Sequence, residues 1–338
     1  MTGKRKNSDD NWMPPRVYRG RSAYEFKHHN GSVIRLCSLD CTQSVVWAEY
    51  EKYIEQQKDN DTFKKLVGRF LISAEFTDLA FETQKDYHKY ARKLTPVFGD
   101  VQPNDIRPEH VRRYMDKREL KSKTQENREK TFMSRVFGWG YERGYVKGNP
   151  CKGVRQYREK SRERYITDAE YAAVFAAAPD MVRAVMELAY LCCARQSDVF
   201  ALTRNQILED GIYICQGKTG AKQIKAWSDR LRAAVALADS VPISTGIASA
   251  YVIHQQNGNR YMRDGFNSRW RNAKLAAKAA NPAMNIDFTF HDLKAKGISD
   301  LEGSLIEKQA ISGHKNSSQT AIYDRRVKIV PVVGNQKK

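Results

Sequence analysis

The chain has 338 residues, 41% of them hydrophobic and 29% charged, with 58 Lys and Arg against 39 Asp and Glu for a formal net charge of +19. That length suffices for two or three domains with buried cores, and the aromatic content is too high for wholesale disorder. No stretch approaches the roughly 20 apolar residues of a membrane span, and the basic start (Lys4, Arg5, Lys6) has no apolar run behind it, which excludes a secretory signal.

Residues 1–60 hold 10 basic and 8 acidic side chains, 61–160 hold 23 and 14, and 161–338 hold 25 and 17. The excess lies in folded-looking sequence, not in a charged tail, so a polyanion such as nucleic acid is the expected partner. A basic protein with no polymeric ligand is the alternative. Six cysteines, at 37, 41, 151, 192, 193 and 215, fit no metal-ligand or disulfide spacing. They read as packing residues or free thiols of a reduced, intracellular protein.

In chain order, Ser22–Phe26 and Ser32–Leu36 read as short strands around Asn30-Gly31, a dipeptide suited to a hairpin turn. A helix follows from an N-cap at Thr42 to about Gln57, with Val45, Val46, Tyr50, Tyr53 and Ile54 on its apolar side. Arg16, Arg19, Arg21, Lys27 and Arg35 either face DNA or form a solvated sheet face. Residues 61–150 read as four helices: Phe63–Phe76, Thr83–Phe98, one opening at Pro108, and Thr124–Tyr141. Lys121, Lys123, Arg128, Lys130 and Arg135 give the last of these a basic face, either a DNA clamp or a solvated surface.

Residues 151–164 form a charged linker. Thr167-Asp-Ala-Glu170 is a capping-box signature opening a helix. Met181–Cys193 is a strongly apolar helix. Gly211–Lys225 alternates like a hairpin turning at Lys218–Ala221, and Asn267–Ala280, Ile298–Leu301 and Leu305–Ile311 read as further helices.

No zinc, phosphate-loop, dinucleotide or nucleophilic-serine motif is present. What remains is a polar set in the last third. Arg195 follows the apolar helix and either pairs with Asp198 or binds an anion. Lys218 sits at a hairpin tip, with Lys222 nearby. His291 and Lys294 lie one helical turn apart, His314 follows Gly313, and Tyr323 lies nine residues later. Each has a structural alternative: His291 as a helix cap, Tyr323 as a core aromatic.

Their order along the chain is what distinguishes them. Arg195, Lys218, His291-x-x-Lys294, Gly313-His314 and Tyr323 resemble the active-site series of tyrosine recombinases, in particular phage-type integrases. Residues 83–150 resemble that family's core-binding domain, with Gly99 before Ile106 and the closing Asn149-Pro150. Residues 1–60 are similar to an arm-binding module in architecture only. The resemblance implies a multidomain, mainly α protein with small β elements. Its parts would be an arm-type DNA-binding module at 1–60, a helical core-binding (SAM-like) domain at 61–155, and a mixed α+β catalytic domain at 156–338.

It further implies a site-specific recombinase working as a homotetramer on double-stranded DNA at core and arm sites, through a 3′-phosphotyrosyl intermediate and a Holliday junction. Neither metal nor other cofactor would be needed. A host DNA-bending protein and an excisionase would be partners, no membrane would be involved, and the location would be the bacterial cytoplasm at the nucleoid. Tyr323 would be the nucleophile and Lys218 the general acid with Lys222 in reserve; Arg195 and Lys294 would bind the phosphate, and His291 and His314 would either donate hydrogen bonds to the same oxygens or exchange a proton with the nucleophile. Asp198 would buttress the site where the family more often has Glu.

Lys294 departs from the family's His-x-x-Arg: it keeps the charge but not the bidentate fork. An active variant, a slowed enzyme and a binding-only protein are the competing consequences. A type IB topoisomerase is a further rival. The apolar tail Ile329–Val333 would pack either as a closing strand of its own chain or, as the resemblance suggests, on a neighbouring subunit, ordering the nucleophile segment only on assembly.

Overall fold

The computed structural model describes residues 8–28, 31–60, 62–119, 122–244, 246, 248–327, 329, 330 and 332, excepting the side chains of 8, 56–60 and 119. Asn30, Lys121 and Val333 lie outside the described residues. The chain divides into two compact units, Met1–Lys160 and Ser161–Lys338.

In the first unit, β1 (Val17–Arg19), β2 (Ala23–Lys27) and β3 (Val33–Ser38) form an antiparallel sheet in that order. Phe26 stands opposite both Val17 and Ile34. Helix α1 (Gln43–Asn60) follows, and Val46 joins Met13, Val17, Tyr24 and Phe26 in a small core. Strand β1 was not expected, since three residues are too few to show alternation. Arg16 lies over the Phe26 ring at 5.8 Å, and Arg19 lies 3.9 Å from Asp10. Two of the four arginines offered to DNA therefore also have partners inside the module, while Arg21 and Arg35 are exposed.

The rest of this unit is helical: α2 (Phe63–Leu71), α3 (Ala74–Thr77), α4 (Phe81–Phe98), α5 (Pro108–Glu119) and α6 (Lys123–Glu142). The single helix expected over Phe63–Phe76 is broken, because the Ser73 hydroxyl accepts from Phe76 N–H at 3.3 Å and caps a new turn. Phe63, Phe70, Leu94, Phe132 and Phe137 fill the core. Truncating one of them, such as Phe132→Ala, would cost about 3–5 kcal/mol.

The basic residues of α6 do not form one face. At 3.6 residues per turn Lys123 and Lys130 share one side and Arg128 and Arg135 another, about 140° away. Residues 154–157, expected to be linker, pack on the bundle: Tyr157 N–H donates to Asn127 Oδ1 at 2.9 Å, and Val154 and Tyr157 lie against its core.

The second unit comprises α7 (Asp168–Ala177), α8 (Asp180–Leu191), α9 (Gln196–Ala201), β4 (Gly211–Cys215), β5 (Lys222–Ala226), α10 (Asp229–Asp239), α11 (Arg263–Ala280), α12 (His291–Asp300), α13 (Leu305–Ser312) and α14 (Ser317–Tyr323). The Thr167–Glu170 capping box and the β4–β5 hairpin are as the sequence suggests. Helix α8 is sunk in the core beside Val199, Leu231, Phe266 and Leu293.

Helix α12 begins at His291, seven residues before the expected Ile298, because Lys294 and Lys296, polar by type, are both buried. It packs so closely on α8 that a Cβ at Gly297 would collide with the Tyr190 carbonyl oxygen. No described helix is long and apolar enough to cross a membrane.

Candidate active site

Several short segments of the second unit converge on Tyr323. After α8 the chain turns at Cys193, whose φ of +50° lies in the left-handed region. This turn ends the helix at Leu191, two residues before the expected Cys193, and brings Arg195 to the N-cap position of α9. The Arg195 Nη1 donates to Gln216 Oε1 at 2.7 Å and lies 3.8 Å from Asp198 Oδ2, an ion pair at the edge of range. Asp198 accepts from Gly217 N–H at 3.1 Å, which ties α9 to the β4–β5 turn.

Gln216 links Arg195 to the next segment, because its Nε2 donates to the Ser312 carbonyl at 2.9 Å. Gly313 then caps α13 with φ +67°, and a Cβ there would lie 2.5 Å from Gln216 Nε2, so glycine is required twice over. His314 follows, only 6% exposed, with Nδ1 sharing a 3.2 Å hydrogen bond with Thr320 Oγ1.

Helix α12 presents His291 in its first turn and Lys294 in its second. His291 Nε2 and Tyr323 Oη share a hydrogen bond of 2.8 Å. The Tyr323 ring lies 5.0 Å from that of His314, and Lys294 Nζ is 5.9 Å from its centroid. Among the described residues Lys294 Nζ, which is buried, and His314 Nε2 find no hydrogen-bond partner.

The electrostatics explain why these groups tolerate one another. Burial first, then the Arg195 charge, holds the Lys294 ammonium down to about 8. Burial, with Lys294 and Arg195, pushes the His314 imidazole down to about 4. The His291 imidazole is also lowered, by burial above all and by Lys294, Arg325 and Arg195, against the pull of Asp292. Near pH 7 both rings are neutral. A buried amine and a buried ring nitrogen without partners, beside an arginine, together suit an anion: its oxygens supply the hydrogen bonds the protein does not.

The hairpin lysines are placed differently. Lys218 is exposed on the β4–β5 turn and Lys222 is exposed at the start of β5. The inward cation of β5 is Lys225, whose Nζ donates to Gln223 Oε1 at 2.9 Å and to the Ile311 carbonyl, and whose pKa burial lowers.

The segment around Tyr323 also differs from expectation. Helix α14 is formed and Tyr323 is seated on His291 within a single chain. The described tail residues join no strand: Val327, Ile329, Val330 and Val332 are all exposed, Ile329 completely. Gln216, Lys225, Asp292, Ser299 and Arg325 were not anticipated. No spacing rule singles them out, because each matters through a contact distant in sequence.

Residues 164–328 match the phage integrase family. The Escherichia phage HK022 integrase is 27% identical over 200 residues, covering 56% of this chain and 54% of that protein. The Enterobacteria phage 434 integrase is 24% identical over 198 residues, covering 56% and 55%. The chain thus spans about half the length of the curated relatives it matches.

Among solved structures, a lambda integrase dimer bound to a COC′ core site matches with a TM-score of 0.68 at 17% identity, covering 97% of this chain and 100% of that one. A lambda integrase tetramer bound to a Holliday junction gives 0.68 at 17%, covering 95% and 98%. The Tn1549 transposon integrase with circular intermediate DNA gives 0.63 at 13%, covering 79% and 96%. At these identities the likeness is one of fold, mainly α with small β elements as expected from the sequence.

Proposed function

We propose that the chain is a site-specific DNA recombinase, an integrase that cleaves and rejoins DNA through Tyr323. The observation that carries this reading is the cluster of His291, Lys294 and His314 against Tyr323, whose hydroxyl is hydrogen-bonded to the His291 imidazole, with the Arg195 charge acting on all three. The integrase relatives and the DNA-bound integrases of similar fold support it.

In the proposed reaction Tyr323 Oη attacks the scissile phosphorus as its proton passes to neutral His291. The bond from phosphorus to the 5′-oxygen breaks, Lys218 gives that oxygen a proton, and a 3′-phosphotyrosyl bond is left. Arg195, protonated Lys294 and His314 Nε2–H stabilise the nonbridging oxygens as charge develops. Lys222 is the reserve acid, Lys225 adds positive potential from within, and Asp198 steadies Arg195. A 5′-hydroxyl from a second duplex then reverses the step, so a Holliday junction and a homotetramer are part of the proposal.

Residues 1–60 would bind arm sites, 61–155 core sites, and 156–338 would carry the chemistry. Arg16, Arg19, Arg21, Lys123, Arg128, Lys130 and Arg135 would meet phosphates, with Lys121 assigned by sequence alone. A host DNA-bending protein and an excisionase would assist, in the cytoplasm of a bacterial host. The test is covalent trapping on nicked duplexes. A protein–DNA adduct that requires Tyr323 is expected, and specific DNA binding without any adduct would leave a binding-only protein instead.

A further inference from the structure

We propose that Asp292, Ser299 and Lys308 are positioning residues for Tyr323: they clamp residues 323–325 to the body of the unit and thereby fix the tyrosine hydroxyl on His291. The proposal rests on the reading of Tyr323 as the nucleophile. It concerns groups outside the motif residues.

Tyr323 is the last residue of a seven-residue helix, and the described chain is exposed from Arg326 onward. So short a helix does not hold its own end in place. Here three consecutive residues each find a buried partner. The Ser299 hydroxyl donates to the Tyr323 carbonyl at 3.0 Å and accepts from Arg325 N–H at 2.8 Å, using both of its capacities on one segment. The Asp324 carboxylate meets Lys308 Nζ at 3.1 Å, and that buried ammonium also donates to the Ser299 carbonyl at 3.2 Å. Arg325 Nη1 donates to Asp292 Oδ1 at 2.6 Å and to the Arg164 carbonyl at 3.1 Å.

Asp292 is the centre of this arrangement. Its side chain is fully buried, and its other oxygen accepts from Thr289 N–H and Oγ1, each at 2.8 Å, which closes the first turn of α12. Arg162, half exposed, reaches the same oxygen at 3.1 Å. One carboxylate therefore holds the helix that carries His291 and Lys294, and also the residue two beyond Tyr323. A buried ion pair returns little net stability for its desolvation, but it does fix geometry. Fixed geometry is what an attack by a tyrosine oxygen requires.

The experiment compares the full chain with Arg325→Gln, Asp292→Asn and Ser299→Ala, the last removing only a hydroxyl in case a charge variant fails to fold. Hydrogen exchange is followed over residues 313–327 and, as a control, over α8. Exchange over the nucleophile segment is expected to quicken by at least about tenfold while α8 is unchanged, as for removal of one partner from a buried charged hydrogen bond. On the nicked duplex that the unaltered chain cleaves best, cleavage should fall at least about tenfold with DNA affinity within about twofold, and Arg325→Lys should recover part of the rate.

Unchanged exchange at residues 323–325 in a folded Ser299→Ala or Arg325→Gln protein overturns the clamp. Wild-type cleavage rates in both variants overturn its bearing on the chemistry. Loosened exchange with no adduct even from the unaltered chain leaves the clamp standing and defeats the recombinase reading instead.

Discussion

Replacing Lys294 by arginine tests the site where it departs from the family pattern. The ammonium is buried, has no hydrogen-bond partner among the described residues, and is held at about 8 against an ordinary 10.5. A displacement of that size corresponds to about 3 kcal/mol between the charged and neutral forms. The unfolded chain keeps this proton up to about pH 10.5 and the folded chain only up to about pH 8. Between those values the unfolded state binds more protons, so stability rises with pH, and below pH 8 the full penalty is present. Lys294→Met should therefore raise the unfolding free energy at pH 7 by up to about 3 kcal/mol, a gain that shrinks from pH 8 to pH 10.5.

Catalysis runs the opposite way. Above pH 8 the free protein loses the charge that would meet the phosphate, so single-turnover cleavage at subsaturating DNA should fall about tenfold per pH unit. Arginine stays charged, so Lys294→Arg should be level from pH 8 to 9.5. On the acid side His291 and His314 are both lowered from 6.5, so the rate should hold down to that pH in both proteins. The assay is adduct formation on a nicked duplex between pH 6 and 9.5. The same alkaline fall in wild type and Lys294→Arg would refute the assignment.

Gln216→Ala should lower cleavage by about 10–100-fold with DNA affinity little changed, because a hydrogen bond to a charged group, here the one orienting Arg195, contributes about 1.5–3 kcal/mol; rapid-quench cleavage and gel shifts separate the two effects. Gly297→Ala should destabilise the protein by at least about 2 kcal/mol in denaturant unfolding, since its Cβ has no room beside the Tyr190 carbonyl. Deleting residues 328–338 should leave binding to single sites intact while altering assembly or cleavage control; unchanged synapsis and cleavage would show that the exposed apolar tail has no partner.

What the sequence discloses here is whatever is local or ordered along the chain. The Thr167–Glu170 box and the β4–β5 hairpin are short-range patterns, and both form. The series from Arg195 to Tyr323 is an order of residue types, readable before any contact is known. Helices α9 and α14, with six and seven residues, hold too few apolar positions to show a period. Helix α12 hides its start because two of its buried residues are lysines. Gln216 and Asp292 act through partners 21 and 33 residues away, which no local pattern records.

The most direct test of the account is covalent trapping on nicked suicide duplexes tiled across the DNA that flanks the chain's own gene. Wild type and Tyr323→Phe would be run side by side on denaturing gels. The account predicts an adduct on at least one duplex from wild type, none from Tyr323→Phe, and equal gel shifts from both. An adduct that survives in Tyr323→Phe would contradict it, as would specific shifts with no adduct from wild type or from Lys294→Arg.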